Sequence, residues 1–212
     1  MSLLKSPLRT AGAALAALSL GACVTVFPET KPVQLYRFDA PQAPAAGPAA
    51  SESVGVFKGR TEFGRAVAGD RILTITGQEA AYIADARWVA PASVLFDEAL
   101  GQAFADNPGR ARLAVRGEVA RANYFLRLDV RNFEAVYENG PRAAPTVVVR
   151  VRAVMTRSAD RTLVGDETIE TRVRAADNRV GAIVQAFDQA AGENIAAVVE
   201  WTNARAEPLP PT

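Results

Sequence analysis

Tyr124-Phe125-Leu126-Arg127-Leu128-Asp129-Val130-Arg131-Asn132-Phe133-Glu134-Ala135-Val136-Tyr137 reads as a strand that changes face partway along. Tyr124, Leu126, Leu128 and Val130 alternate with Arg127, Asp129 and Arg131, the period of two expected where one face of a sheet is buried. The apolar set then moves to Phe133, Ala135 and Tyr137, which have the opposite parity. One extra residue near Arg131-Asn132 would return them to the same face, so a bulge or bend is predicted there. Downstream, Val147, Val149, Val151, Ala153 and Met155 keep the period, Ser158-Ala159-Asp160-Arg161 forms a turn, and Leu163, Ile169, Thr171 and Val173 line a third strand. Three such strands in succession read as an antiparallel meander.

An apolar sheet face must be covered, and the residues after the meander suit that role. Val180, Ile183, Val184, Phe187, Ala191, Ile195 and Val198 lie on one side of a helix, with Trp201 near its end and Asp177 or Asn178 as its cap. A helix for a partner or a membrane surface is the competing reading, and the need for a cover argues against it. Before the first strand, Pro91 opens a helix through about Asp106, with Phe96, Leu100 and Phe104 spaced by four and Asn107-Pro108-Gly109 as the stop. Earlier still, Arg71 to Thr76, a Gly77-Gln78 turn and Ala80 to Val89 form a hairpin, preceded by strands at Val33 to Phe38 and Val54 to Phe57. The expected class is α+β, a single domain over residues 33–205 whose antiparallel sheet packs against two main helices.

The two ends read differently. Lys5 and Arg9 precede the apolar run Ala11 to Leu20, and Leu20-Gly21-Ala22-Cys23 follows. This matches a secretion signal over residues 1–22 ending in a lipobox, with Cys23 as the lipid attachment site. A buried, unreactive cysteine is the alternative. Residues 23–32, with Pro28 and Pro32, read as a tether; its last nine residues reach roughly 30 Å when extended. Residues 39–53 carry Pro41, Pro44 and Pro48 amid alanine and read as a loop. Residues 206–212 form a frayed tail.

Composition removes several function classes. The chain has 24 basic and 23 acidic residues, a balance that gives no electrostatic case for nucleic acid. All but three of the basic residues are arginine, which codon bias explains. Histidine is absent and Cys23 is the one cysteine, which removes most zinc sites, thiol nucleophiles and histidine-based triads. Carboxylate chemistry would need paired acids in a cleft, and no stretch advertises such a pair. Gly55 to Arg60 lacks the spacing of a phosphate loop. No catalytic residue, cofactor or metal is expected.

The order lipobox, Tyr36-Arg37-Phe38, proline-rich loop, Gly69 to Leu73, Tyr82-Ile83-Ala84-Asp85-Ala86-Arg87-Trp88 and Pro91 to Phe96 resembles the ABC-type transport auxiliary lipoproteins, PqiC-like components associated with MCE-type lipid transport. The likeness runs from Tyr36 to about Trp201. It implies an α+β domain without enzymatic activity and, as partners, an ATPase, a permease and a membrane-anchored MCE substrate-binding protein, with phospholipid as a cargo. It also implies a periplasm-facing domain held by lipid on Cys23; Val24, which is not aspartate, directs sorting to the outer membrane. Arg87 and Trp88 form a candidate docking pair, interfaces being enriched in both residue types; a core anchor with a solvated flank is the competing reading. The alternative function is a structural or assembly-assisting envelope lipoprotein with no transporter, and a periplasmic hydrolase stands third.

Overall fold

The computed structural model describes residues 32–39, 52–107, 109–114 and 122–208. The signal, Cys23, nearly all of the tether, most of the proline-rich loop and the last residues of the tail lie outside them.

The long predicted strand organises the sheet. It runs Tyr124–Val136 and is the seventh in chain order, β7. The next, β8 (Thr146–Arg157), lies antiparallel to it over its whole length, and β9 (Leu163–Arg174) lies antiparallel to β8. These three make the expected meander. The register of β7 against β8 shifts between Val130 and Asn132, so Arg131 is the extra residue. Tyr124, Leu126, Leu128 and Val130 before the bulge and Phe133 and Ala135 after it are all buried.

The other edge of β7 is shared by three shorter strands, all parallel to it. Val56 of β2 (Val54–Lys58) lies opposite Tyr124. Glu62 of β3 (Glu62–Phe63) lies opposite Asp129, and Thr74 of β4 (Arg71–Thr76) opposite Ala135. Beyond β4 comes its antiparallel hairpin partner β5 (Glu79–Trp88), turned at Gly77 with a positive φ of 59°, a conformation glycine adopts without cost. Two outermost strands complete the sheet: β1 (Gln34–Tyr36) beside β5 and β6 (Ala111–Leu113) beside β2, both parallel. The long pairings are therefore antiparallel as expected, and the parallel ones belong to short strands.

Helix α1 (Ala92–Asp106) buries Leu95, Phe96, Ala99, Leu100 and Phe104. Pro91 stands at its cap, one position before the first helical residue, and its carbonyl accepts from the N–H groups of Val94 and Leu95. Helix α2 (Val180–Arg205) buries Ile183, Val184, Phe187, Ile195, Val198 and Trp201 against β8 and β9 and also touches α1. Its cap differs from expectation. Arg179 holds that position without a side-chain bond to the first turn. Asp177 instead accepts from the Arg179 N–H at 2.7 Å, and Asn178 is committed to Tyr137 and to the Pro141 carbonyl.

Both helices and the buried face of the sheet share one apolar core. Phe38, Trp88, Phe133 and Phe187 meet at its centre, with centroid separations of 5.1 to 5.3 Å along the chain of contacts. Such tilted and edge-on contacts add to the area that the rings bury. No helix among the described residues is long and apolar enough to cross a membrane.

Candidate functional site

Trp88 closes β5 and is 2% exposed. Its ring packs edge-on against Phe38 and Phe187, and its backbone N–H donates to the Asp70 backbone carbonyl at 2.7 Å. Arg87 points the other way. Its Nη1 donates to both carboxylate oxygens of Asp70, at 3.2 and 3.1 Å, and nearly half of its side chain is exposed. Of the candidate pair, then, one residue is core and the other is a paired surface cation.

The local chain explains this division. Between the pairs Leu73 with Tyr82 and Arg71 with Arg87 the hairpin register slips, and Asp85 takes a positive φ of 56°. The bulge leaves Ala84 and Asp85 exposed while Ala86 and Trp88 turn inward. Tyr82-to-Phe96 is thus a structural passage: a bulged strand, a buried anchor, then α1.

A second constellation lies on the face of the sheet turned away from the helices. Phe57 of β2, Phe125 of β7 and Thr156 of β8 lie side by side across three strands, and Arg127 lies opposite Val154 in the next row. With Arg157, Ser158 and Arg161 from the end of β8 and its turn, they line an open groove of about 490 Å³. That volume lies within the range of small-ligand sites. Phe125 sits at a position whose alternation predicts a polar residue, and it is 38% exposed. Its ring lies 5.4 Å from that of Phe57. Gly59 follows closely, and a Cβ there would come within 3.0 Å of the Phe125 ring tip.

The groove is cationic because its neighbouring carboxylates are already engaged. Arg152 makes a fork with Asp166, Nε to Oδ1 at 2.8 Å and Nη2 to Oδ2 at 2.5 Å. That bond holds the Asp166 carboxyl below its ordinary range, with smaller help from the charges of Arg152, Arg127 and Arg131. Glu170 is lowered in the same way, first by its bond from Arg150. Asp160 is lowered first by the Thr162 N–H, which donates to it at 3.0 Å, and it also accepts from Arg157 at 3.1 Å. Among the described residues Arg127 and Arg161 have no ion-pair partner. The Arg157 Nε is buried and unpaired among them as well.

None of these groove residues was singled out from sequence. The available signal was Phe125, an aromatic side chain at the solvent parity of β7. Its meaning depends on Phe57 and Arg161, which only the fold brings beside it. A smaller hollow by Arg60, Thr61 and Ser93 is also lined by Asp97, which accepts from Lys58 Nζ at 2.9 Å. That pair ties the first turns of α1 to the end of β2 and reads as structural.

Comparison with known proteins sets this geometry in context. The family model described as ABC-type transport auxiliary lipoprotein component matches residues 36–199. A Xanthomonas campestris protein of the DUF330 family has a similar crystal structure, with a TM-score of 0.67 at 23% identity over 81% of this chain and 96% of that one. An uncharacterized protein is similar at a TM-score of 0.63 and 10% identity, covering 81% and 99% of the two chains. A hypothetical protein of Chlamydia trachomatis follows at 0.51 and 8%, covering 73% and 98%. At these identities the structures bear on the fold alone. No curated protein matches the chain.

Proposed function

We propose, from the premise that this chain belongs to the ABC-type transport auxiliary lipoprotein family, that it is the non-enzymatic, membrane-anchored auxiliary component of an MCE-type system moving lipid between envelope membranes. The observation that carries this reading is the family match, which spans most of the domain. Cys23 is the anchor in this reading, and Val24 after it directs the protein to the outer membrane with the domain in the periplasm. Buried acyl chains contribute about 0.8 kcal/mol per methylene, enough to hold a domain where it can meet the periplasmic end of a transporter. Its partners are the MCE substrate-binding protein directly and the ATPase and permease through it, and phospholipid is the cargo. Arg87, the exposed member of the Arg87-Trp88 pair, is a candidate contact for the MCE protein.

The test is co-purification from solubilised envelopes with wild type and with Cys23→Ser. Wild type is expected to bring down the MCE protein and to fractionate with outer membrane, while Cys23→Ser loses the membrane fraction. A wild-type preparation free of every transporter component would sink the reading and leave a structural envelope lipoprotein in its place.

A further inference from the structure

The groove on the open face of the sheet joins two chemistries, arginine side chains and apolar rings. Toward the middle of β8 and β9, arginines and carboxylates stand in matched pairs, Arg150 with Glu170 and Arg152 with Asp166. At the β8–β9 turn the matching stops. Arg127, Arg157 and Arg161 line the groove, and the one carboxylate bonded to any of them among the described residues is Asp160, on Arg157. Thr156 and Ser158 stand between them, with no side-chain hydrogen bond from either hydroxyl to another described residue. Beside this polar end lie the Phe57 and Phe125 rings and the Val154 side chain.

Guanidinium groups present planar, paired donors whose fork matches the oxygens of a phosphate. Arg157 keeps 39% of its side chain exposed although it pairs with Asp160. The exposed aromatic pair offers apolar contact where a wholly ionic site would have none. From this juxtaposition we propose that the groove binds a phosphate group through Arg127, Arg157 and Arg161, with the Phe57 and Phe125 rings seating the apolar chain that the phosphate carries. A phospholipid headgroup and a free phosphate share the anionic half of this chemistry. The lipid source rests on the transport reading above; the anion site stands on the groove alone.

The experiment titrates the full lipoprotein, in a nonionic detergent, with inorganic phosphate, hexyl phosphate and hexanol, followed by calorimetry. It is repeated on the double variant Arg127→Gln with Arg161→Gln, whose side chains make no described ion pair, and thermal unfolding verifies that the variant folds. Hexyl phosphate is expected to bind, and the double variant to weaken it by about tenfold or more, the loss expected for charge-assisted hydrogen bonds. Tighter binding of hexyl phosphate than of inorganic phosphate assigns the site to a lipid-type ligand. Equal binding of the two keeps the phosphate site and removes the role of the rings. The proposal is overturned if neither phosphate probe binds, if the folded double variant binds them unchanged, or if hexanol binds as well as hexyl phosphate. None of those results bears on whether the protein co-purifies with a transporter.

Discussion

Trp88 and Asn194 show how much single side chains carry in this core. Trp88 contacts Phe38, Phe133 and Phe187 and is almost fully enclosed. Trp88→Ala should therefore cost about 3–5 kcal/mol, read from the midpoint of urea unfolding. Arg87→Ala next to it removes only an exposed pair with Asp70. It should change stability by less than about 1 kcal/mol, so any loss of co-purification in that variant reports on docking. Asn194 is fully buried in α2, and its Nδ2 donates to the carbonyls of Val149 and Ile169, at 3.2 and 3.1 Å, and to the Thr171 hydroxyl. It is a polar tie between helix and meander, and its Oδ1 has no partner among the described residues. Asn194→Asp would place a carboxylate against those same oxygens. We expect a loss of about 3–5 kcal/mol, as for an unpaired buried charge, with Asn194→Leu costing less in the same unfolding assay.

At the level of elements, the end of α2 lies close to β9 because Gly165 has no side chain. A Cβ there would approach Arg205 at 2.7 Å and the Trp201 ring at 3.0 Å. Trp201 Nε1 donates to Glu167 at 2.8 Å, and the Arg205 guanidinium stacks on the Trp201 ring while pairing with Glu167. Gly165→Val should push these groups off the strand and cost about 1–3 kcal/mol, with a change in tryptophan fluorescence as the local readout. The ionic rows of the meander give a pH prediction. Asp166 and Glu170 are held below their ordinary values of 3.8 and 4.5, chiefly by bonds from Arg152 and Arg150. A carboxylate lowered on folding adds stability above its unfolded pKa and loses it as pH falls through the folded value. Thermal midpoints should therefore fall as pH drops below the range of those ordinary values, and Arg152→Gln with Arg150→Gln should flatten that decline.

For the molecule as a whole, what could be read from sequence was what repeats locally. The bulge in β7 was legible because a parity change at Arg131-Asn132 has one geometric meaning, and the two helices were legible from their apolar spacing. The strands β3 and β6 were not, because two or three residues such as Glu62-Phe63 or Ala111 to Leu113 show no period. The parallel addition of short strands was hidden too, since nothing in Val54 to Phe57 says which strand it will lie beside. The candidate groove was illegible for the same reason: Phe57, Phe125 and Arg161 become neighbours only once β2, β7 and the β8–β9 turn are in place. Asp177 and Asn178 were expected at the cap because their side chains suit it, and both are taken by other partners.

The shared edge of β7 also bears on when the chain can fold. Strands β2, β3 and β4 leave the ribosome ahead of the partner they lie against by roughly 60 to 70 residues, and pairings over such separations are slow to nucleate. The meander and α2, whose contacts are nearer in sequence, can form first and offer β7 as a template. Until then the first half of the chain has a hairpin but no sheet to join, so its amides are expected to gain protection from hydrogen exchange later than those of the meander.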